Sequence, residues 1–225
     1  MIINKFCFVL LLSGNNQAPY TELAMYLPPQ FNHPDHALEL IRSHPLASLI
    51  SNDDDGFPFV THLPMHVETE GADWQMLGHC ARANPHWRYL AQRPEALLVF
   101  QGPQAFMSTR VYPDLVRVPT WSYLVVHVKV RMQLVDGEEA KDVLLKQLIA
   151  DHDAPYAAQW RGLPESYTQG MLKAIVAFKG EVLDVKCKIK LNQHRSEAHE
   201  RMKADYAQGT EQERALAHWI ERLGL

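Results

Sequence analysis

Trp74-Gln-Met-Leu-Gly-His-Cys-Ala-Arg-Ala-Asn-Pro-His-Trp87 and, ten residues on, Leu97-Leu-Val-Phe-Gln-Gly-Pro103 together decide how the chain is read. Residues 74–80 form an apolar strand pattern. Asn84 suits a helix cap and Pro85 the first helical position, with Trp87 and Leu90 turned inward. Residues 96–100 read as a second apolar strand, stopped by Gly102-Pro103. His79, Arg82 and Asn84 are thereby gathered where a strand end meets a helix start. Such a corner suits a phosphate; the alternative is a solvated turn with one charged side chain.

Outward from this stretch the signals alternate between hairpins and short helices. Upstream, Pro34 opens a helix over 35–43, and His44-Pro45 closes it. Residues 46–51 and 57–67 form a hairpin across Asp53-Asp-Asp-Gly56, with Pro58 and Pro64 marking an edge, a bulge or an end. Downstream, residues 118–135 form a long strand, with strict alternation within 121–135. Val126, Val128, Val130, Met132 and Leu134 take one face, and His127, Lys129, Arg131 and Gln133 the other. Asp136-Gly-Glu-Glu139 has capping-box spacing ahead of a helix to about Ala150. Trp160 anchors a polar, proline-broken stretch. Strand material follows at 174–178 and 182–191, with Gly180 between as a bulge or turn. Residues 196–206 read as helix. Thr210-Glu-Gln-Glu213 is a second capping box, ahead of a stripe of Leu216, Trp219, Ile220 and Leu223. This order predicts a mainly β fold with added helices: a small antiparallel barrel and a helical C-terminal tail. Three segments are expected: an extension over 1–24, a domain over 25–195 and a tail over 196–225.

The 225 residues carry a formal charge of -4, with 47% apolar letters. That balance is ordinary for a soluble protein and gives no general steering toward nucleic acid. Cys7, Cys80 and Cys187 stand far apart and form no ligand cluster, so a reducing cytoplasm is the simplest setting. The apolar run 6–12 is far too short to span a membrane. It also lacks the flanks of an export signal. There is no Gly-x-Gly-x-x-Gly loop, P-loop, His-Glu-x-x-His pair or serine-hydrolase elbow.

Thr61-His-Leu-Pro-Met-His66 places His62, Pro64 and His66 on one side of a strand. A metal pair would need a third ligand, so a histidine-bearing rim is the plainer reading, and no metal is expected. A flavin needs apolar packing, donors for its carbonyls and positive charge for its phosphate. Thr61, His62, Leu63 and the backbone beside Pro64 offer part of that mixture. Tyr112, Trp121 and Tyr123 add aromatic surface. Lys186, Lys188 and Lys190 alternate on one strand face. That pattern is either a solvated edge or a phosphate clamp.

At these residues the chain resembles the PaiB family of FMN-binding negative transcriptional regulators. The matching words run in order: Met25-Tyr-Leu-Pro-Pro-Gln-Phe31, Thr61-His-Leu-Pro64, Gly78-His-Cys-Ala-Arg-Ala-Asn-Pro85, Phe100-Gln-Gly-Pro103, Val118-Pro-Thr-Trp-Ser-Tyr123 and Lys188-Ile-Lys-Leu-Asn-Gln193. The resemblance implies an FMN-binding split barrel, assembled as a homodimer with the cofactor near the interface. It implies that Thr61, His62, Leu63 and Pro64 face the flavin ring, and that His79, Ala81, Arg82 and Asn84 surround the phosphate. Trp121 and Tyr123 then complete the pocket, and Lys190 and Gln193 reach the cofactor or brace its wall. The chain departs from the family at Asn192 and His194, and in its tail. Three functions remain open: a regulator binding DNA through Lys186, Lys188, Lys190 and Arg195; a flavin-dependent oxidoreductase of a small acceptor; and a cofactor-free interaction protein.

Overall fold

A computed structural model describes residues 25–70, 73–114, 116–153 and 155–225. The expected extension over 1–24 lies outside them. Seven strands make one antiparallel sheet: β1 (Leu46–Asn52), β2 (Pro58–Pro64), β3 (His66–Glu70), β4 (Asp73–Ala81), β5 (Glu95–Met107), β6 (Thr120–Val135) and β7 (Ile175–Lys190). Their order is β2-β1-β5-β6-β7-β4-β3.

Period-two patterning builds the core. Leu124, Val126, Val128 and Val130 of β6 are fully buried, as are Leu49 of β1, Leu98 of β5 and Cys187 and Ile189 of β7. Each buried Leu, Ile or Val side chain adds roughly 1.5–3 kcal/mol of apolar transfer. Lys186, Lys188 and Lys190 point to the opposite face, as the alternation requires.

The sheet does not close, which corrects the barrel and split-barrel expectation. β2 and β3 are the two ends of the order, although only Met65 separates them in sequence. Among the described residues no ladder joins β2 to β4 or β1 to β3. Pro64 has no N–H to donate. The Met65 N–H is taken by Pro45 O at 2.9 Å. The ladder therefore breaks at this joint and leaves an open seam. β4 still runs close by: a Cβ added at Gly78 would sit 2.6 Å from Met65 Sδ and 3.1 Å from Leu63 Cδ1. Gly78 is what lets the backbone approach the seam.

Three local expectations are also corrected. Gly102-Pro103 does not stop β5. The ladder absorbs one extra residue between Gln101 and Gln104, and Pro103 sits in that bulge, where no donor is needed. Gly180 does not interrupt β7; it pairs with both Met76 and Met132, and the irregularity lies opposite Lys129–Val130. Asp136 does not cap the next helix, because Gly137 takes the N-cap position at φ 86° with no side-chain bond.

Helices cover parts of both surfaces. α1 (Ala37–Ser43) buries Leu40 and Ile41 against the core. α2 (His86–Gln92) buries His86 and Leu90. α3 (Glu138–His152), α4 (Tyr156–Gly162) and α5 (Glu165–Lys173) form a lobe, in which Leu144 and Leu148 pack with Leu77 and Ala177 on the outer side of the sheet. Buried Trp160 donates to Asp142 Oδ1 at 2.6 Å and ties α4 to α3. α6 (His199–Ala207) and α7 (Glu211–Arg222) follow; Thr210 and Glu213 make the expected capping box, and Leu216, Trp219 and Ile220 are buried. Among the described residues no helix is long and apolar enough to cross a membrane.

Candidate functional site

The outer face of the sheet is only partly covered. One register row runs across five strands: His62, Ser48, Val99, His127 and Lys186. Beside it lies the row Val60, Ile50, Leu97, Lys129 and Asp184. Leu46 is 63% exposed and Val60 46%. Apolar side chains and cations thus interleave on one open surface.

The sequence-selected residues fall into distinct groups on this frame. Trp121, Tyr123 and Lys190 come together on the outer face of β6 and β7. Lys190 Nζ donates to Thr120 Oγ1 at 2.6 Å and to Trp121 O at 2.8 Å, and lies 5.7 Å from the Tyr123 ring centre. Burial and the neighbouring Lys188 charge lower the Lys190 pKa. Lys188 is itself buried: its ammonium donates to Tyr26 O at 3.0 Å and sits between the Tyr26 and Tyr123 rings. Lys186 pairs with Asp184 at 3.0 Å. The three lysines make an aromatic-backed cationic corner, with each ammonium already engaged.

Around the seam, His62 is exposed, and its Nδ1 lies 3.0 Å from Ser48 Oγ. Leu63 is buried in the core, and Pro64 is exposed. β4 passes the seam at Gly78, one residue before His79, where an added Cβ would meet Met65 and Leu63. His79 Nδ1 is buried with no hydrogen-bond partner among the described residues. Burial lowers the His79 pKa, so its ring is neutral at pH 7. Arg82 is exposed but partly committed: Nε donates to Lys173 O at 2.7 Å and Nη2 to Ile175 O at 3.2 Å, closing the end of α5.

Thr61 and Asn84 belong to a buried network that also holds His86 and Ser51. His86 Nδ1 is 2.8 Å from Thr61 Oγ1, and Nε2 is 2.9 Å from Ser51 Oγ. Asn84 Nδ2 donates to Thr61 Oγ1 at 3.1 Å, and Asn84 Oδ1 accepts from the His86 N–H at 3.0 Å. Both ends of the Asn84 amide are therefore engaged in bracing the β4–α2 turn. The sequence reading did not single out His86. Its available signal was the parity of Ser51 and Thr61, two hydroxyls on the inward side of paired strands beneath a histidine at a helix start. Gln193 stands apart as a local brace: Oε1 accepts from the Leu191 N–H at 2.9 Å, and Nε2 donates to Ile189 O at 2.6 Å.

His62 and Tyr123 share the outer face but not one pocket. Three ladder steps separate β2 from β6, and at about 4.8 Å per step that is roughly 14 Å across the sheet.

Several known proteins are similar to this chain. A protein of Bacillus subtilis called protease synthase and sporulation protein PAI 2 is 29% identical over 178 residues, covering 77% of this chain and 84% of that one. An uncharacterized protein of Saccharomyces cerevisiae is 26% identical over 147 residues, covering 55% of this chain and 86% of that one. Among solved structures, the flavocytochrome Anf3 of Azotobacter vinelandii matches with a TM-score of 0.56 at 16% identity, over 72% of this chain and 69% of that one. A FAD and heme binding protein of Mycobacterium smegmatis matches with a TM-score of 0.55 at 17% identity, over 71% and 72%. Those identities carry the fold alone. The family model described as "Putative FMN-binding domain" matches residues 25–184, more than half of the sequence, and the chain belongs to that family.

Proposed function

We propose that the chain binds FMN on its outer sheet surface and acts as a flavin-dependent oxidoreductase of a small acceptor. The observation that carries this reading is His79 Nδ1, buried and unpartnered beside the seam. Buried polar atoms are nearly always bonded, so a missing partner points to one from outside the chain. The donor set fits the cofactor. His79 and the free edge of the Arg82 guanidinium suit carbonyl and phosphate oxygens. Tyr123, Val99 and Leu97 supply flat apolar surface, and Lys190 supplies positive charge. A bound flavin supplies the hydride- and electron-accepting centre. His62, oriented by Ser48, offers an imidazole that exchanges a proton with an acceptor at this surface. Two proteins with this fold, the flavocytochrome and the FAD and heme binding protein, are named for a flavin. The regulator reading of the resemblance has less support, since Lys188 is buried and Lys186 is paired with Asp184.

The seam group and the Tyr123–Lys190 corner lie too far apart for one side chain to bridge. A homodimer that brings the corner of one copy against the seam of the other completes the site, and exposed Leu46 and Val60 with half-buried Ile50 and Leu97 provide apolar area for that contact. The test is FMN titration of the purified full chain, followed by flavin fluorescence, with steady oxidation of reduced nicotinamide as the activity readout. His79→Ala is expected to weaken FMN binding about tenfold or more. Unchanged affinity in that variant, or failure of the wild type to take up FMN, overturns the reading.

A further inference from the structure

A second cavity, separate from the flavin surface, opens where the end of α1, the start of β3 and the end of α3 meet. It has a volume of about 480 Å³, within the range of small-molecule sites. Its floor is apolar, from Met65 and Val67, which are 2% and 5% exposed. Its polar lining is Arg42, Ser43, His66, Asp151 and His152. We propose that this cavity binds a small organic anion, a carboxylate or phosphate ester with a short apolar body.

The charge pattern carries the inference. Asp151 is the lining carboxylate, and it is already engaged: its Oδ2 lies 2.5 Å from His66 Nδ1. That contact ties the carboxylate to the His66 ring. The Arg42 and His152 side chains make no hydrogen bond or ion pair to any described residue. A guanidinium is charged at every working pH. Arg42 is therefore a lining cation with no side-chain partner among the described residues, over an apolar floor.

Helix C-termini would ordinarily oppose an anion. Here some of the carbonyls near each helix end are occupied. Glu39 O and Leu40 O of α1 accept from Ser43 Oγ at 2.5 Å and the His44 N–H at 3.0 Å, and Ile149 O of α3 accepts from the Asp153 N–H at 2.7 Å. The cavity lies at the joint where Met65 links β2 to β3. The site goes beyond the flavin reading and stands whether or not the chain holds a flavin.

The test is isothermal titration of the full chain with succinate and, separately, with inorganic phosphate. Saturable binding of either below about 10 mM is expected, and which of the two binds identifies the anion class. Arg42→Ala is expected to weaken that binding about tenfold or more, and His152→Ala by a smaller factor. Arg42 is exposed, so its removal should leave the thermal midpoint in place. Arg110→Ala, on the surface beside α6, is expected to change nothing. The proposal is overturned if neither anion binds, or if Arg42→Ala and His152→Ala both bind as the wild type does.

Discussion

His86 makes the protein sensitive to acid in a way that one variant isolates. Its ring is fully buried, packs edge-on against Phe59 at 5.0 Å, and lies between the Thr61 and Ser51 hydroxyls. Either hydroxyl can give or accept, so protonating the ring would break neither bond. What opposes the charge is burial, which lowers the pKa from 6.5 to about 4. The folded state therefore binds fewer protons than the unfolded state between those values. The stabilising effect of the neutral ring is complete above the unfolded value and is lost as pH falls toward the folded one. At about 1.4 kcal/mol per pH unit, a gap of roughly 2.5 units is worth about 3 kcal/mol. His33, His44 and His79 are shifted in the same direction by burial, so the wild-type slope alone does not isolate His86. His86→Gln keeps one hydroxyl partner and removes the titration. Urea unfolding, followed by the fluorescence of the five tryptophans, should be run at steps from about pH 7 to about pH 4. The variant is expected to be about 1–3 kcal/mol less stable near neutrality. That deficit should shrink by about 3 kcal/mol at the acid end. A deficit that stays constant across the range would refute the assignment.

Gly78→Ala is expected to cost about 1–3 kcal/mol in the same urea assay, because the new methyl would lie 2.6 Å from Met65 Sδ and 2.9 Å from the Phe178 ring. Thr210→Ala removes the cap of α7 and should cost about 1 kcal/mol, read as a fall of roughly 2–4 °C in the thermal midpoint. Cys187 is buried, and its pKa is pushed up to about 12. It should therefore resist an aromatic disulfide reagent in the folded protein and react once the chain is unfolded in urea.

Elements with a strong period were legible from the residues. The alternation of β6 and the lysine side of β7 needed only parity, and α7 announced itself through Thr210, Glu213 and its apolar stripe. The errors arose where one residue type has two uses. Gly102-Pro103 is ordinarily a stop, yet a proline placed in a bulge leaves the ladder intact on both sides. Asp136 had the spacing of a cap, but Gly137 reached the N-cap position through a positive φ that spacing does not encode. Closure was misjudged because alternation sets which face is inward and says nothing about whether the end strands meet. At the candidate site, His62, Tyr123 and Lys190 were singled out through residue chemistry and the family resemblance. His86 was missed because its partners, Ser51 and Thr61, converge only after β1 and β2 have paired.

β2 begins at Pro58 and ends at Pro64. An open sheet offers its border strands as templates for other chains, and that is a route to aggregation. Here a visiting strand would meet a missing donor at each end of the border, and at the far end a backbone already turning away. The protein can thus keep an unsealed sheet in a crowded solution without inviting its neighbours to extend it.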